Sequence, residues 1–61
     1  MKAKAEDIER IKASVRNGKE QGELHALYVA IGAITVYAGS PMERSFTESQ
    51  IKEIFKAAIG V

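Results

Sequence analysis

The sequence predicts an all-α fold of three helices, at about residues 4–16, 22–38 and 47–59. Apolar residues recur at spacings of three and four in the first and last segments, which places them on one side of a helix. Glycine or proline follows each segment and can end it. The middle segment carries no charge between Leu24 and Gly39. We therefore predict that it forms a central hydrophobic helix that is covered on more than one side.

Length and composition predict one small helical domain over residues 1–61. A chain of about 60 residues buries only about 60% of the surface that it exposes when unfolded, so its stability is marginal. The chain has no cysteine and one histidine, so we expect no disulfide, no metal and no cofactor. Association with a second subunit is the remaining common source of stability. We therefore predict a helical homodimer.

Charge and hydropathy give no reason to expect a membrane or a nucleic acid as the partner. The net charge is +1 and the isoelectric point is about 8.1, so the chain has no strong electrostatic field. Acidic residues occupy the N-terminal region where a secretion signal would be apolar. As a helix, the uncharged middle segment spans about 22 Å, less than the ~30 Å of a membrane interior. We expect a cytoplasmic protein.

The first helix is predicted from a stripe of apolar residues, which comprises Ala5, Ile8, Ile11 and Val15. Acidic residues come early and basic residues late, as the helix dipole favours. On the solvated side we expect the ion pairs Glu6–Arg10, Asp7–Arg10 and Glu9–Lys12. The Asn17-Gly18 pair is predicted to end this helix, with Gly18 in the left-handed conformation. Alternatively, Asn17 caps the second helix and Glu20 completes a capping box.

The second helix divides into three faces when its residues are placed at 100° intervals. The broad face is predicted to pack in the chain's own core and comprises Leu24, Leu27, Tyr28, Ile31, Ile34 and Thr35. The second face comprises His25, Val29, Gly32 and Val36. The third face, called here the alanine seam, comprises Ala26, Ala30, Ala33 and Tyr37. The β-branched residues also raise a strand alternative, but strand alternation is absent, so we predict a helix.

The alanine seam is predicted to be the self-association site. Small side chains allow a second helix backbone to approach closely. The outer helices carry too few large apolar side chains to cover three faces of the middle helix. We therefore expect two copies to cross antiparallel along Ala26, Ala30 and Ala33, with Tyr37 at the end of the seam.

The third helix has clear start and stop signals. Thr47 is predicted to be its N-cap, and Gln50 completes a capping box while Phe46 packs onto Ile51. Gly60 follows its last apolar residue. The run FTESQIKEIFKAA, about a fifth of the chain, resembles the opening helix of calmodulin-type proteins. The calcium loop that follows that helix in those proteins has no counterpart here, so the resemblance implies a shared capping pattern and no calcium site.

The sequence predicts a non-enzymatic protein–protein interaction module, such as an adaptor, a regulator or an inhibitor, which acts as a homo-oligomer. No nucleophile elbow, phosphate loop or zinc signature is present, and no second group is expected to converge on His25. Candidate partner-binding residues surround the second loop and are of types favoured at interfaces: Tyr37, Met42, Arg44 and Phe46. Alternatively, Tyr37 and Phe46 serve packing alone.

The alternative function is a small DNA-binding transcriptional regulator. Outward residues of the third helix that could contact phosphates are Ser49, Gln50, Lys52 and Lys56. Glu48 and Glu53 lie among them and oppose a phosphate contact. We therefore favour a protein partner over nucleic acid.

Overall fold

The computed structural model describes residues 1–60 as three helices: α1 (Ala5–Lys19), α2 (Glu23–Ala38) and α3 (Glu48–Ile59). Each helix packs against the other two. Within the described residues there is no strand, and the one isolated bridge joins Lys2 to Ser45. The predicted all-α fold and its three helices are confirmed. The main difference in boundaries lies at the end of α1.

The predicted stop at Gly18 is wrong, because α1 continues through it to Lys19. Gly18 is buried, and a Cβ atom at this position would lie 2.9 Å from Val29 Cγ2 and 3.4 Å from His25 Cδ2. The missing side chain therefore permits α1 and α2 to approach closely. A close approach between helices and a helix end both favour glycine, which is why the sequence pattern misidentified this one.

The turn between α1 and α2 is short and is closed by backbone hydrogen bonds. Gln21 N donates to Gly18 O at 3.0 Å, and Gly22 N donates to Lys19 O at 2.9 Å. Gly22 has φ +117°, a conformation that glycine adopts without strain. Gly22 is the N-cap of α2, which begins at Glu23 as predicted; the alternative in which Asn17 caps α2 is wrong.

The predicted ends of α3 are confirmed. Thr47 Oγ1 accepts a hydrogen bond from Gln50 N at 3.1 Å, and Gln50 Oε1 accepts one from Thr47 N at 3.0 Å. This reciprocal pair is the predicted capping box. At the other end, Gly60 has φ +77° and donates its N–H to Lys56 O at 2.9 Å. Local residue chemistry is sufficient to fix both ends of this helix.

The core combines large side chains of α1 and α3 with small side chains of α2. The buried apolar residues are Ala3, Ile8, Ile11, Val15, Ala26, Ala30, Ile54 and Ala58. Small residues at a helix contact bring the helix axes together, and large side chains from the neighbouring helices fill the remaining space. Only one side of α2 is covered in this way. Of the predicted broad face of α2, Leu27 and Ile34 pack against this core as expected, whereas Leu24, Tyr28, Ile31 and Thr35 are exposed.

The N-terminal segment ties α1 to the loop between α2 and α3. Ala3 N donates to Ser45 O at 2.8 Å, and Ser45 N donates to Met1 O at 2.8 Å. Asp7 is only 4% exposed, and its Oδ2 lies 3.2 Å from Arg44 Nε. Asp7 was predicted to pair on the solvated side with Arg10, and that prediction is wrong. Its carboxylate instead connects α1 to the loop that leads into α3.

Among the other predicted ion pairs of α1, Glu9–Lys12 is confirmed at 3.1 Å. The Lys12 ammonium also lies 2.9 Å from a carboxylate oxygen of Glu53. It therefore links α1 to α3 as well as to the preceding turn of its own helix. Hydrogen bonds to Glu53 and then Glu9 raise the pKa of Lys12 above its usual value.

Candidate functional site

The exposed face of α2 is the most unusual surface of the molecule. Leu24, Tyr28, Ile31 and Val36 are 68%, 67%, 54% and 66% exposed. These large apolar side chains all lie on one 16-residue helix. Isolated exposed apolar residues are common, whereas a contiguous apolar patch marks a binding surface. We call this surface, formed by the four residues with Gly32 and Thr35, the α2 face.

The α2 face is apolar in chemistry as well as in composition. No charged residue occurs between Leu24 and Gly39. The hydroxyl of Thr35 donates to Ile31 O at 2.8 Å within the same helix, so its hydrogen is already used. A shallow groove of about 270 Å³ runs along the face and is lined by Leu24, Leu27, Tyr28 and Ile31. The arrangement suits an apolar helical surface better than a charged ligand.

Gly32 forms an open notch in the α2 face. A Cβ atom built at this position meets nothing within 4 Å, so no contact within residues 1–60 requires a glycine there. Glycine in a helix interior costs about 0.5–1 kcal/mol relative to alanine. Gly18 differs, because α2 occupies the space beside it. Thus Gly18 serves packing inside the chain, whereas Gly32 opens outward.

The prediction that the alanine seam faces a second chain is wrong, because the seam is buried inside its own chain. Ala26 and Ala30 have no exposed surface, and Ala33 and Tyr37 pack against the same core. The seam therefore faces α1 and α3 of its own chain. The hydrophobic pattern predicts the larger side chains in the interior, but the small residues allow the tighter helix packing. The seam predicted for self-association thus belongs to the core, and the face predicted for the core is only partly buried.

The predicted partner-binding residues come together only in part, and most of them serve the fold. Arg44 N donates to Tyr37 O at 2.8 Å, so these two residues are neighbours. The Arg44 side chain is directed at Asp7 and contacts the sulfur of Met1, while Phe46 and Tyr37 pack against the core. Met42 remains 39% exposed. A single exposed methionine does not form an interface.

The Asp7–Arg44 ion pair is the interaction that sequence reasoning missed. The Asp7 carboxylate also accepts a hydrogen bond from Lys4 N at 3.0 Å. The Arg44 Nε–H is buried and makes no aligned hydrogen bond, so its 3.2 Å contact with Asp7 is an ion pair of poor hydrogen-bond geometry. Asp7 at the first turn of α1 is a local signal for capping. Nothing local indicates that a residue 37 positions later completes the pair.

His25 is exposed, and the edge of its ring lies beside Gly18. This position favours packing between α1 and α2 over chemistry. Among residues 1–60, no group of three histidine, aspartate or glutamate side chains is placed to hold a metal ion. In the same part of the chain, no helix is both long and apolar enough to cross a membrane.

A second surface is a basic groove between α1 and α3. It has a volume of about 420 Å³ and is lined by Lys12, Arg16, Lys19, Glu53, Lys56, Ala57 and Gly60. Lys12 is already bound to two carboxylates. Three of the cations lie in the last turns of their helices, where the helix dipole attracts positive charge. The groove therefore has a structural explanation, and it offers a weaker case for a binding site than the α2 face.

Comparison with protein-family models, with curated proteins and with solved structures finds no match to this chain. The candidate site is therefore defined by the α2 face itself.

Proposed function

We propose that this protein is a small non-enzymatic protein–protein interaction module. It acts as an adaptor, a regulator or an inhibitor by presenting the α2 face to another protein chain, and the homo-oligomer expected from the sequence uses the same face. The observation that carries the proposal is the cluster of four large apolar side chains, each more than half exposed, on one helix that carries no charge after Glu23.

Energetic cost supports this interpretation of the face. An apolar side chain that remains in water forgoes about 25 cal/mol for every Å² that a partner could cover. Aromatic side chains are enriched at the centres of interfaces, where Tyr28 would supply a large contact area. Covering the groove lined by Leu24, Leu27, Tyr28 and Ile31 would therefore stabilise both the complex and this small chain.

The proposal is tested by adding one charge to the face. Ile31 is 54% exposed and is not part of the buried core, so Ile31→Glu should leave the helices intact. Ala13→Glu is the matched control, because Ala13 is an exposed position of α1. Tagged wild-type protein and both variants are used to recover bound chains from the native host, with circular dichroism as the test of folding.

We expect the wild type and Ala13→Glu to recover the same bound chains and Ile31→Glu to lose them. A desolvated, unpaired carboxylate costs several kcal/mol in an apolar interface. Equal recovery by all three folded proteins would remove the α2 face from the proposal. A set of bound chains lost with Ala13→Glu alone would move the binding surface to α1.

A second candidate function, a small DNA-binding transcriptional regulator, is favoured by the basic groove. Arg16, Lys19 and Lys56 line it and form none of the ion pairs within residues 1–60. Binding to phosphates would shift a random DNA duplex in a gel at low salt and would weaken steeply as salt is added. The double variant Arg16→Gln/Lys56→Gln should reduce that shift. No shift by the wild type at low salt would eliminate this function.

A further inference from the structure

We propose that the α2 face binds the α2 face of a second copy of this chain. The two α2 helices run antiparallel, and Tyr28 of each copy packs against Gly32 of the other. This inference rests on the proposed function, because it names the partner of the same surface. It replaces the dimer interface expected along the alanine seam, which is buried inside the chain.

The first support is a row of residues spaced four apart along α2. Leu24, Tyr28, Gly32 and Val36 follow one another at this spacing, and all four are exposed. Rows of this kind form the ridges of a helix surface. In the commonest helix packing in globular proteins, such rows of two helices run alongside each other and interdigitate, at a crossing angle of about 50°. The α2 face therefore presents one complete ridge to a second helix.

The second support is the self-complementary order of large and small residues along this ridge. A two-fold axis midway between Tyr28 and Gly32 places each of them opposite the other in the second copy. The same axis places Leu24 opposite Val36. A two-fold interface uses the same surface on both copies, so each such contact occurs twice. Along the ridge the side chains are large at Leu24 and Tyr28, absent at Gly32 and of medium size at Val36. When the second helix runs in the opposite direction, each large side chain therefore lies opposite a smaller residue.

The third support is the open space at Gly32. The Tyr28 side chain is 67% exposed, and a Cβ at Gly32 meets nothing within 4 Å. The protruding ring and the open position lie side by side on the same ridge. An antiparallel copy can therefore place its own ring in the open position. The groove lined by Leu24, Leu27, Tyr28 and Ile31 then lies where Val36 of the other copy arrives. Both hollows of the face receive a side chain from the second copy.

Area and charge favour a second copy over another occupant. The exposed apolar side chains of α2 offer on the order of 500 Å² per copy, so a dimer that covers all of them buries roughly 1,000 Å², the size at which specific interfaces begin. The face has no charge, so two identical faces meet without repulsion. An oppositely charged partner would gain nothing there. Antiparallel α2 helices also place opposite ends of their dipoles side by side.

The central experiment measures mass against concentration for the whole chain by sedimentation equilibrium, from about 1 to 300 μM, a range that covers micromolar affinity. The expected mass rises from the 6.7 kDa of one chain towards twice that value. Gly32→Tyr should raise the dimer dissociation constant by at least about tenfold, because the notch is filled. Its fold should persist, since position 32 is exposed and a Cβ atom there meets nothing within 4 Å.

The double variant Tyr28→Gly/Gly32→Tyr is the matched control. It has the composition of the wild type, and it exchanges the protruding residue and the notch. In the antiparallel dimer of this double variant, the introduced tyrosine of one copy again lies against the introduced glycine of the other. The double variant should therefore associate more tightly than Gly32→Tyr alone. Circular dichroism at each concentration confirms that all three proteins are folded. A double variant no tighter than Gly32→Tyr overturns the pairing.

The antiparallel direction is tested with single cysteines, because the chain contains none of its own. In the proposed dimer, residue 24 of one copy lies beside residue 36 of the other, whereas the two copies of residue 24 are about 18 Å apart along the helices. A disulfide requires Cα atoms within about 7 Å. Mild oxidation should therefore link a mixture of Leu24→Cys and Val36→Cys chains, and neither variant alone. Efficient linking of Leu24→Cys to itself overturns the antiparallel arrangement.

Failure of this inference is distinguishable from failure of the proposed function. A wild-type chain that remains at 6.7 kDa at the highest concentration overturns the dimer. If this single chain still loses its bound host proteins in the Ile31→Glu variant, the face binds a different protein and the proposed function stands. If the single chain instead sediments with vesicles of phosphatidylcholine, whose net charge is zero, the face binds lipid, and both proposals are overturned.

Discussion

The two helical glycines should respond in opposite directions to the same substitution. In Gly18→Ala, the added Cβ would lie 2.9 Å from Val29 Cγ2, closer than carbon atoms pack. Valine in a helix has essentially one side-chain rotamer, so the methyl group cannot turn away and the helices must move apart. Overpacking of this kind costs about 1–3 kcal/mol. The better helix propensity of alanine offsets about 1 kcal/mol of this overpacking cost.

The expected net effect of Gly18→Ala is therefore a loss of about 1 kcal/mol in the free energy of unfolding. Gly32→Ala adds the same methyl group in open space and should gain about 0.5–1 kcal/mol. For a domain of this size, 1 kcal/mol changes the melting temperature by about 4–8 °C. Circular dichroism melts at a concentration where sedimentation shows a single chain would measure both changes without a contribution from association.

The double variant Gly18→Ala/Val29→Ala identifies the cause. With the Val29 methyl groups removed, adding alanine at position 18 should become neutral or stabilising, and the cycle should show a coupling of about 1 kcal/mol or more. Equal stabilisation by Gly18→Ala and Gly32→Ala would refute the close approach of α1 and α2 at Gly18.

Two further predictions concern the buried ion pair and the core. Asp7→Ala should lower the free energy of unfolding by about 3 kcal/mol, the lower end of the cost of breaking a buried ion pair, because the Arg44 side chain left without its partner is 19% exposed. Glu6→Ala at the exposed neighbouring position should change it by less than about 0.5 kcal/mol. Equal urea midpoints for the two variants would contradict the pair. Ile54→Ala, at a position with no exposed surface, should cost about 2–5 kcal/mol, and Ile59→Ala, at a position 42% exposed, should cost clearly less; the order of the two thermal melts is the check.

Those parts of the fold that depend on neighbouring residues could be predicted from the sequence. The capping box of Thr47 and Gln50 and the stop at Gly60 are satisfied within one or two helical turns, so the local residue types determine them. The start of α2 after Gly22 is equally local. The Asp7–Arg44 pair could not be predicted in this way. It forms only after α2 has brought a distant loop back to α1.

The orientation of α2 could not be predicted because hydrophobicity alone does not choose its inner face. The helix is apolar on nearly every side, so almost any rotation about its axis buries apolar surface. Packing geometry decides instead. Ala26 and Ala30 bring the α2 backbone close to its neighbours, and Ile11, Val15 and Ile54 are fully buried in the core. A face of larger residues would hold α2 away and leave those three side chains incompletely packed.

The same geometry explains why the exposed residues are suited to a second interface. With the small residues Ala26 and Ala30 buried inside the chain, the exposed side of α2 carries four large apolar side chains together with Gly32 and Thr35. A glycine retained there weakens the isolated helix and brings no packing benefit to residues 1–60. In the dimer, the open space at Gly32 would allow a backbone or ring of the other copy to pack closely, and this contact would offset the lower helix stability. The position of Gly32 beside Tyr28 is thus the feature that connects the folding of one chain to the association of two.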